Sequence, residues 1–211
     1  MSTTPRRALL VVDVQNEYVT GNLLIEYPPV GQSLRNIGRA MDAAHEAGIP
    51  TVMVQHNGFG QGTAGWQLHQ TVATRPHDHR IDKPLPSVFA DTDLAAWLAD
   101  RNIDTLAIVG YMTQNCNAST LFEARHRGLK AEFLSDATGA VPYANRAGSA
   151  TAEEIHRVLS IVFESNFAAV LSTDEWISAV ANGAAPQRDN PMASNKRARE
   201  APATTAAAAI Q

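Results

Sequence analysis

The run Ala8-Leu9-Leu10-Val11-Val12, stopped by Asp13, decides the fold. Five apolar residues in a row, with no polar alternation, read as a strand buried on both faces. Such a strand needs a parallel sheet with helices above and below it. The rest of the chain supplies them. Leu34, Ile37, Met41 and Ala44 recur at helical spacing, with Ser33 as the expected cap and Gly48 as the stop. A second strand is predicted at Thr51 to Gln55. The stretch from Asn57 to Ser87, rich in glycine and proline, reads as one long irregular loop, of a length that is usually either functional or disordered.

Regular alternation resumes after it. Thr92 is predicted to cap a helix that buries Leu94, Trp97 and Leu98, and Thr105 to Val109 is the next strand. Gly110 to Asn115 form a turn, and a helix follows from Asn115 to Arg127, closed by Gly128. Ala131 to Leu134 is a strand. Thr151 and Glu154 have capping-box spacing for a helix expected to bury Ile155, Val158, Leu159 and Val162. Phe167 to Leu171 and Thr173 to Ala181 complete a strand–helix alternation that predicts a doubly wound α/β fold. Residues 1–181 form the expected domain. Residues 182–211, rich in Ala and Pro, are expected to be a tail, disordered or packed on a neighbouring subunit.

Composition removes several function classes. With 211 residues, the chain suits one domain with a sizeable core. Seventeen basic against 21 acidic residues leave a net charge of −4, which argues against nucleic acid as the main partner. No apolar run is long enough to span a bilayer, and no secretory signal pattern follows Met1. Cys116 is the only cysteine, so no internal disulfide forms. A cytoplasmic protein with no membrane or nucleic-acid partner is the expectation.

In open parallel sheets, ligands bind beyond the carboxyl ends of the strands. Asp13 falls there, directly after the first strand. Cys116 falls there too, in the first turn of a helix, where unpaired N–H groups and the helix dipole lower a thiol pKa. A thiol beside a carboxylate is the nucleophile–base pair of covalent catalysis. The plain alternatives remain: a lone cysteine is more often a small buried hydrophobe, Asp13 could cap a turn, and Lys83 could be a solvated surface lysine.

Three separated motifs in order carry a resemblance. Asp13-Val14-Gln15, then Lys83 with Pro86-Ser87-Val88-Phe89, then Gly110-Tyr111-Met112-Thr113-Gln114-Asn115-Cys116 resemble the isochorismatase-like cysteine hydrolases, from about Ala8 to Trp176. The resemblance implies a Rossmann-like α/β/α sandwich and a Cys–Asp–Lys triad: Cys116 as nucleophile, Asp13 as proton carrier, Lys83 stabilising the ionised pair. It implies an oxyanion hole from the backbone N–H groups of Met112 and Cys116, with a cis bond before Met112. It implies a small-molecule substrate, a homodimer or homotetramer, and hydrolysis of an amide, carbamoyl or lactam-like C–N bond. Vinyl-ether hydrolysis and a catalytically silent scaffold are the alternatives.

This chain departs from its metal-dependent relatives. They carry Asp-x-His after the second strand, where this chain reads Gln55-His56-Asn57, so neither metal nor cofactor is expected. His77 and His79 are a weaker metal pair, and Asn117 stands where many relatives have an apolar residue. Gln15, Tyr18, His56, Trp66, Phe89 and Tyr111 are candidate substrate-binding residues, with Gln15 more suited to orienting its neighbours. Leu23, Leu24 and Ile25, apolar in an irregular segment, form an expected subunit contact.

Overall fold

The computed structural model describes residues 4–201. Six parallel strands form the central sheet: β1 (Arg7–Val12), β2 (Thr51–His56), β3 (His79–Lys83), β4 (Thr105–Tyr111), β5 (Lys130–Gly139) and β8 (Ala169–Leu171). Their spatial order is β3-β2-β1-β4-β5-β8. Two further strands, β6 (Tyr143–Asn145) and β7 (Gly148–Ala150), make a separate antiparallel hairpin.

The first strand behaves as its sequence demands. Every residue from Ala8 to Val12 is fully buried. Ala8, Leu10 and Val12 face one core layer, and Leu9 and Val11 face the other, as the two-residue side-chain period requires. Helices α3 (Leu94–Asp100), α4 (Ala118–His126) and α5 (Ala152–Asn166) contribute to the first layer. Helices α1 (Val30–Glu46) and α6 (Thr173–Ala181) contribute to the second. The result is the three-layer α/β/α sandwich.

Several local expectations need correction. Ser33 does not cap α1: the helix begins at Val30 behind Pro29. Its hydroxyl lies inside the first turn and meets Tyr111 Oη at 2.7 Å. The Asn57–Ser87 stretch is not one irregular loop, because it holds the short helix α2 (Gln70–Ala73) and strand β3. His-Arg-Ile-Asp-Lys hides β3 from a hydrophobicity reading, since an edge strand buries only Ile81 and Lys83. The helix expected from Asn115 is divided into a π-helical turn, Thr113–Asn117, and α4.

Helix α5 is rotated relative to expectation. Its Thr151–Glu154 capping box is present, but its buried residues are Ala152, His156 and Phe163. Val158 and Val162 are exposed and Ile155 is half-buried. The i, i+4, i+11 positions meet the sheet, so the helix presents a polar histidine to the core. Leu23–Ile25 also divides: Ile25 is buried in the chain's own core, Leu23 packs partly against it, and Leu24 is exposed.

Beyond Ala181, the Asp189 amide bonds the Glu164 carbonyl of α5 at 3.0 Å. Asn190 then caps the last helix, α7 (Pro191–Glu200), through the Ala193 amide. Residues 202–211 of the expected tail lie outside the described residues. Among the described residues, no helix is long and apolar enough to cross a membrane.

Candidate active site

All six strands run parallel, so their carboxyl ends share one edge. The chain builds outward from β1 to β2 and β3 on one side, then crosses to β4 on the other. The crevice at that reversal is where α/β sheets place ligands. Val12 of β1 pairs with both Val54 of β2 and Gly110 of β4. The next residue, Asp13, has a φ of 51°, a left-handed conformation that Asp tolerates better than most residues. Its amide still bonds the Val54 carbonyl at 3.0 Å.

Gly110 permits the close approach on the other side. Its φ is 101°, and a Cβ there would lie 2.1 Å from the Val12 carbonyl oxygen. Only glycine fits. Past it, the Tyr111–Met112 bond is cis, and the π-helical turn carries Cys116. Asn117 is buried and donates from Nδ2 to the Gly110 carbonyl at 2.9 Å. Its polarity therefore ties the turn to the strand end, which explains an amide where an apolar residue was the expected pattern.

Lys83 ends the edge strand, opposite His56 of β2. Its side chain reaches across β2 into the crevice. Nζ lies 2.8 Å from Asp13 Oδ2 and 3.2 Å from Cys116 Sγ, and it also donates to the Leu85 carbonyl at 3.2 Å. Asp13 and Lys83 are fully buried, and Cys116 is 1% exposed. The three residues named from widely separated motifs therefore converge on one point. Thr120 joins two of those motifs: its hydroxyl donates to the Cys116 carbonyl at 2.7 Å and accepts the Val88 amide at 3.1 Å.

The electrostatics differ from the helix-terminus expectation. Burial pushes the Cys116 thiol pKa upward, the Asp13 charge pushes it further, and Lys83 opposes both. Desolvation outweighs the dipole, so the resting group at neutral pH is a thiol. Burial also lowers the His56 pKa, helped by the Lys83 charge and opposed by Asp13. His56 is thus held neutral, and its Nδ1 accepts the Gly58 amide at 2.7 Å.

The remaining candidates separate by position. Tyr18 is buried between the rings of Tyr111 and Phe59, with centroids at 5.6 and 5.3 Å. Burial raises its pKa first, and the Asp13 charge raises it further. Tyr111 turns toward α1 to meet Ser33. Gln15 orients its neighbours: Nε2 donates to the carbonyls of Trp66 at 2.7 Å and His56 at 3.1 Å, and Oε1 accepts the His56 amide at 2.9 Å. The Trp66 indole N–H is buried without a partner among the described residues. Phe89 lies in the core under the Arg127 guanidinium. His79 pairs with Asp93 at 2.9 Å and stacks on Trp97, while His77 meets the Arg75 carbonyl.

Sequence reasoning missed Phe59, Tyr143, Gln114 and His156. Phe59 stands over both Tyr18 and His56. Tyr143, on the hairpin, has its pKa raised by burial, against a Gln114 hydrogen bond that lowers it, and by the Cys116 charge. No motif marks the hairpin, because its strands are short and solvated.

The isochorismatase domain profile matches residues 7–175. A solved structure from Burkholderia xenovorans LB400, assigned to the isochorismatases, superposes with a TM-score of 0.92 at 60% identity, covering 93% of this chain and 98% of that one. Ureidoacrylate amidohydrolase RutB of Methylobacterium radiotolerans is 29% identical over 82% of this chain and 76% of its own length. Streptothricin hydrolase of Streptomyces noursei is 33% identical over 63% of this chain. The match spans about half of that relative's length, 54%. With the domain match running from the first strand into the sixth helix, over the same crevice that gathers Asp13, Lys83 and Cys116, the chain belongs to the isochorismatase family.

Proposed function

We propose that this chain is a cysteine hydrolase that cleaves an amide, carbamoyl or lactam-like C–N bond of a small molecule. The observation that carries the reading is the buried cluster in which Lys83 Nζ lies 2.8 Å from Asp13 and 3.2 Å from Cys116 Sγ. Burying a lysine, a carboxylate and a thiol together costs desolvation energy, and such clusters concentrate at functional sites. The ureidoacrylate amidohydrolase among its relatives supports the bond type.

The mechanism follows from the resting thiol. Asp13 takes the thiol proton as sulfur attacks the carbonyl carbon, so no thiolate is needed in advance. The oxyanion forms against the backbone N–H groups of Met112 and Cys116. Lys83 holds the carboxylate in place and offsets the charge that develops on sulfur. Collapse breaks the C–N bond, and Asp13 returns the proton to the departing nitrogen. Water then attacks the thioester, giving the acid and restoring the thiol. Tyr18, His56 and Phe59 form the wall on which the substrate lies.

A panel of small amides, carbamoyl compounds and lactams tests this by amine or ammonia release, with intact-protein mass spectrometry to trap the acyl-enzyme. The expected result is amine release and a mass increase that a peptide map places on Cys116. Pyruvate release from a vinyl ether, with no C–N turnover, would instead identify the other chemistry of the fold.

The chain also works as a homodimer or homotetramer in this reading, with Leu24 the exposed part of its contact. Sedimentation equilibrium at micromolar concentration should give a mass at least twice 22.7 kDa. A single species at the monomer mass refutes the assembly and leaves the chemistry untouched.

A further inference from the structure

Helix α5 presents His156 to the interior, where the ring is 5% exposed. Its Nδ1 lies 2.9 Å from Thr113 Oγ1. Thr113 is fully buried and opens the π-helical turn that ends beyond Cys116. The rings of Tyr27 and Phe133 stand 5.6 and 6.2 Å from the imidazole.

Burial lowers the His156 pKa to about 4, against a smaller raising effect of the Ser135 backbone. The ring is therefore neutral at working pH and holds one proton on its two nitrogens, which lets Nδ1 accept the Thr113 hydroxyl.

We infer that His156 is a positioning residue: by accepting the Thr113 hydroxyl, it sets the turn that aims Cys116 and its neighbouring amides. Further along the turn, Gln114 Nε2 donates to the Val141 carbonyl and Asn117 Nδ2 to the Gly110 carbonyl, both at 2.9 Å, and the Cys116 carbonyl accepts the Thr120 hydroxyl at 2.7 Å. The Thr113 carbonyl accepts the Ala118 amide at the start of α4, and the His156 tie holds the Thr113 side chain to α5. A π-helical turn is a single widened turn with few backbone bonds of its own, so the side-chain tie at its first residue adds to what holds its orientation. The Asn115 and Asn117 amides both bond the Met112 carbonyl, at 3.1 and 3.3 Å. Rotation at Thr113 therefore moves the Met112 peptide and the turn together. The inference rests on the reading of Cys116 as nucleophile.

Four substitutions separate a hydrogen-bond role from packing. The Oδ1 introduced by His156→Asn sits near the place of Nδ1 and keeps the acceptor for Thr113. His156→Gln places its amide near the place of Nε2 instead and leaves Thr113 without an acceptor. Thr113→Val removes the donor from the other end, and Thr113→Ser keeps it. Steady-state kinetics on the best amide of the panel should show kcat lowered roughly 10- to 100-fold in His156→Gln and Thr113→Val, with KM within about 3-fold. His156→Asn and Thr113→Ser should stay within about 3-fold of the parent in kcat. The double variant His156→Gln/Thr113→Val should be no slower than either single one. Parental kcat in Thr113→Val, an equal loss in all four singles, or a loss confined to KM would overturn the inference. Cys116→Ala runs alongside: if it turns over, the nucleophile reading has failed, whereas an inactive Cys116→Ala with a fully active Thr113→Val refutes the positioning role alone.

Discussion

Cys116→Ala folds like the parent protein and loses turnover by about 10⁴-fold or more. The two halves of this expectation have separate causes. Removing one sulfur from a buried position costs on the order of 1 kcal/mol in packing. It also leaves the Asp13–Lys83 pair at 2.8 Å intact, so no buried charge loses its partner. The rate loss comes from deleting the only atom able to form the thioester. Asp13→Asn behaves differently. It removes the proton acceptor, with a comparable rate loss, and it strands Lys83 in the interior, which destabilises by roughly 3–5 kcal/mol. Coupling Asp13→Asn with Lys83→Met removes both charges, so stability returns while activity does not. Thermal denaturation and initial rates on the same samples measure both quantities. Near-parental turnover in folded Cys116→Ala would end the covalent mechanism, and an Asp13→Asn variant as stable as the parent would show that Lys83 has another partner.

The parts of this architecture that were legible in the sequence are those whose local pattern and global role agree. Ala8 to Val12 has no polar residue, and nothing but a central parallel strand can use it. The Thr151–Glu154 and Thr173–Ala181 signals are local capping and periodicity effects, and the structure honours both. The pattern misled where tertiary position overrode it. In α5 the most apolar stripe, Val158, Ile161 and Val162, faces outward. The positions facing the sheet include His156, whose Nδ1 is paired with the Thr113 hydroxyl. No hydrophobicity count selects a histidine for a core. The same holds for β3, where Lys83 is buried because a carboxylate and a thiol wait for it, not because its neighbours are apolar. Asp13, Lys83 and Cys116 were found through motif spacing. The depth of their burial, and hence the raised thiol pKa, required the packing of β1 to β4 and could not come from a helix-dipole argument made on the turn alone.

The same physics predicts the largest stability effect at the opposite edge of the sheet. Arg7 opens β1, and Glu132 lies near the start of β5, with β4 between them. Both side chains are 3% exposed. Arg7 Nε and an Nη each donate to a Glu132 oxygen at 2.8 Å. The Trp176 indole N–H donates to the same carboxylate at 2.8 Å, and the Arg7 guanidinium reaches the Ala184 carbonyl at 2.5 Å. One carboxylate thus satisfies a guanidinium and an indole, and links β1, β5, α6 and the segment that leads to α7. Glu132→Ala leaves Arg7 charged and unpaired in the interior, at a cost of about 3–5 kcal/mol, and leaves the indole N–H without an acceptor. For a chain of this size the midpoint should fall by roughly 10 °C. The effect on kcat should be small in the fraction that remains folded. Seven residues of β4 separate this edge from the crevice, a length of roughly 20 Å at the rise of a strand. Adding Arg7→Met to Glu132→Gln should recover part of the loss, because an apolar side chain then replaces the stranded charge while the glutamine oxygen still accepts the indole. Calorimetry of the three variants decides it. A Glu132→Ala midpoint within 2 °C of the parent would show that Arg7 escapes to solvent, and a double variant no better than Glu132→Ala would show that the pair's geometry, rather than the relief of a buried charge, holds these strands to α6.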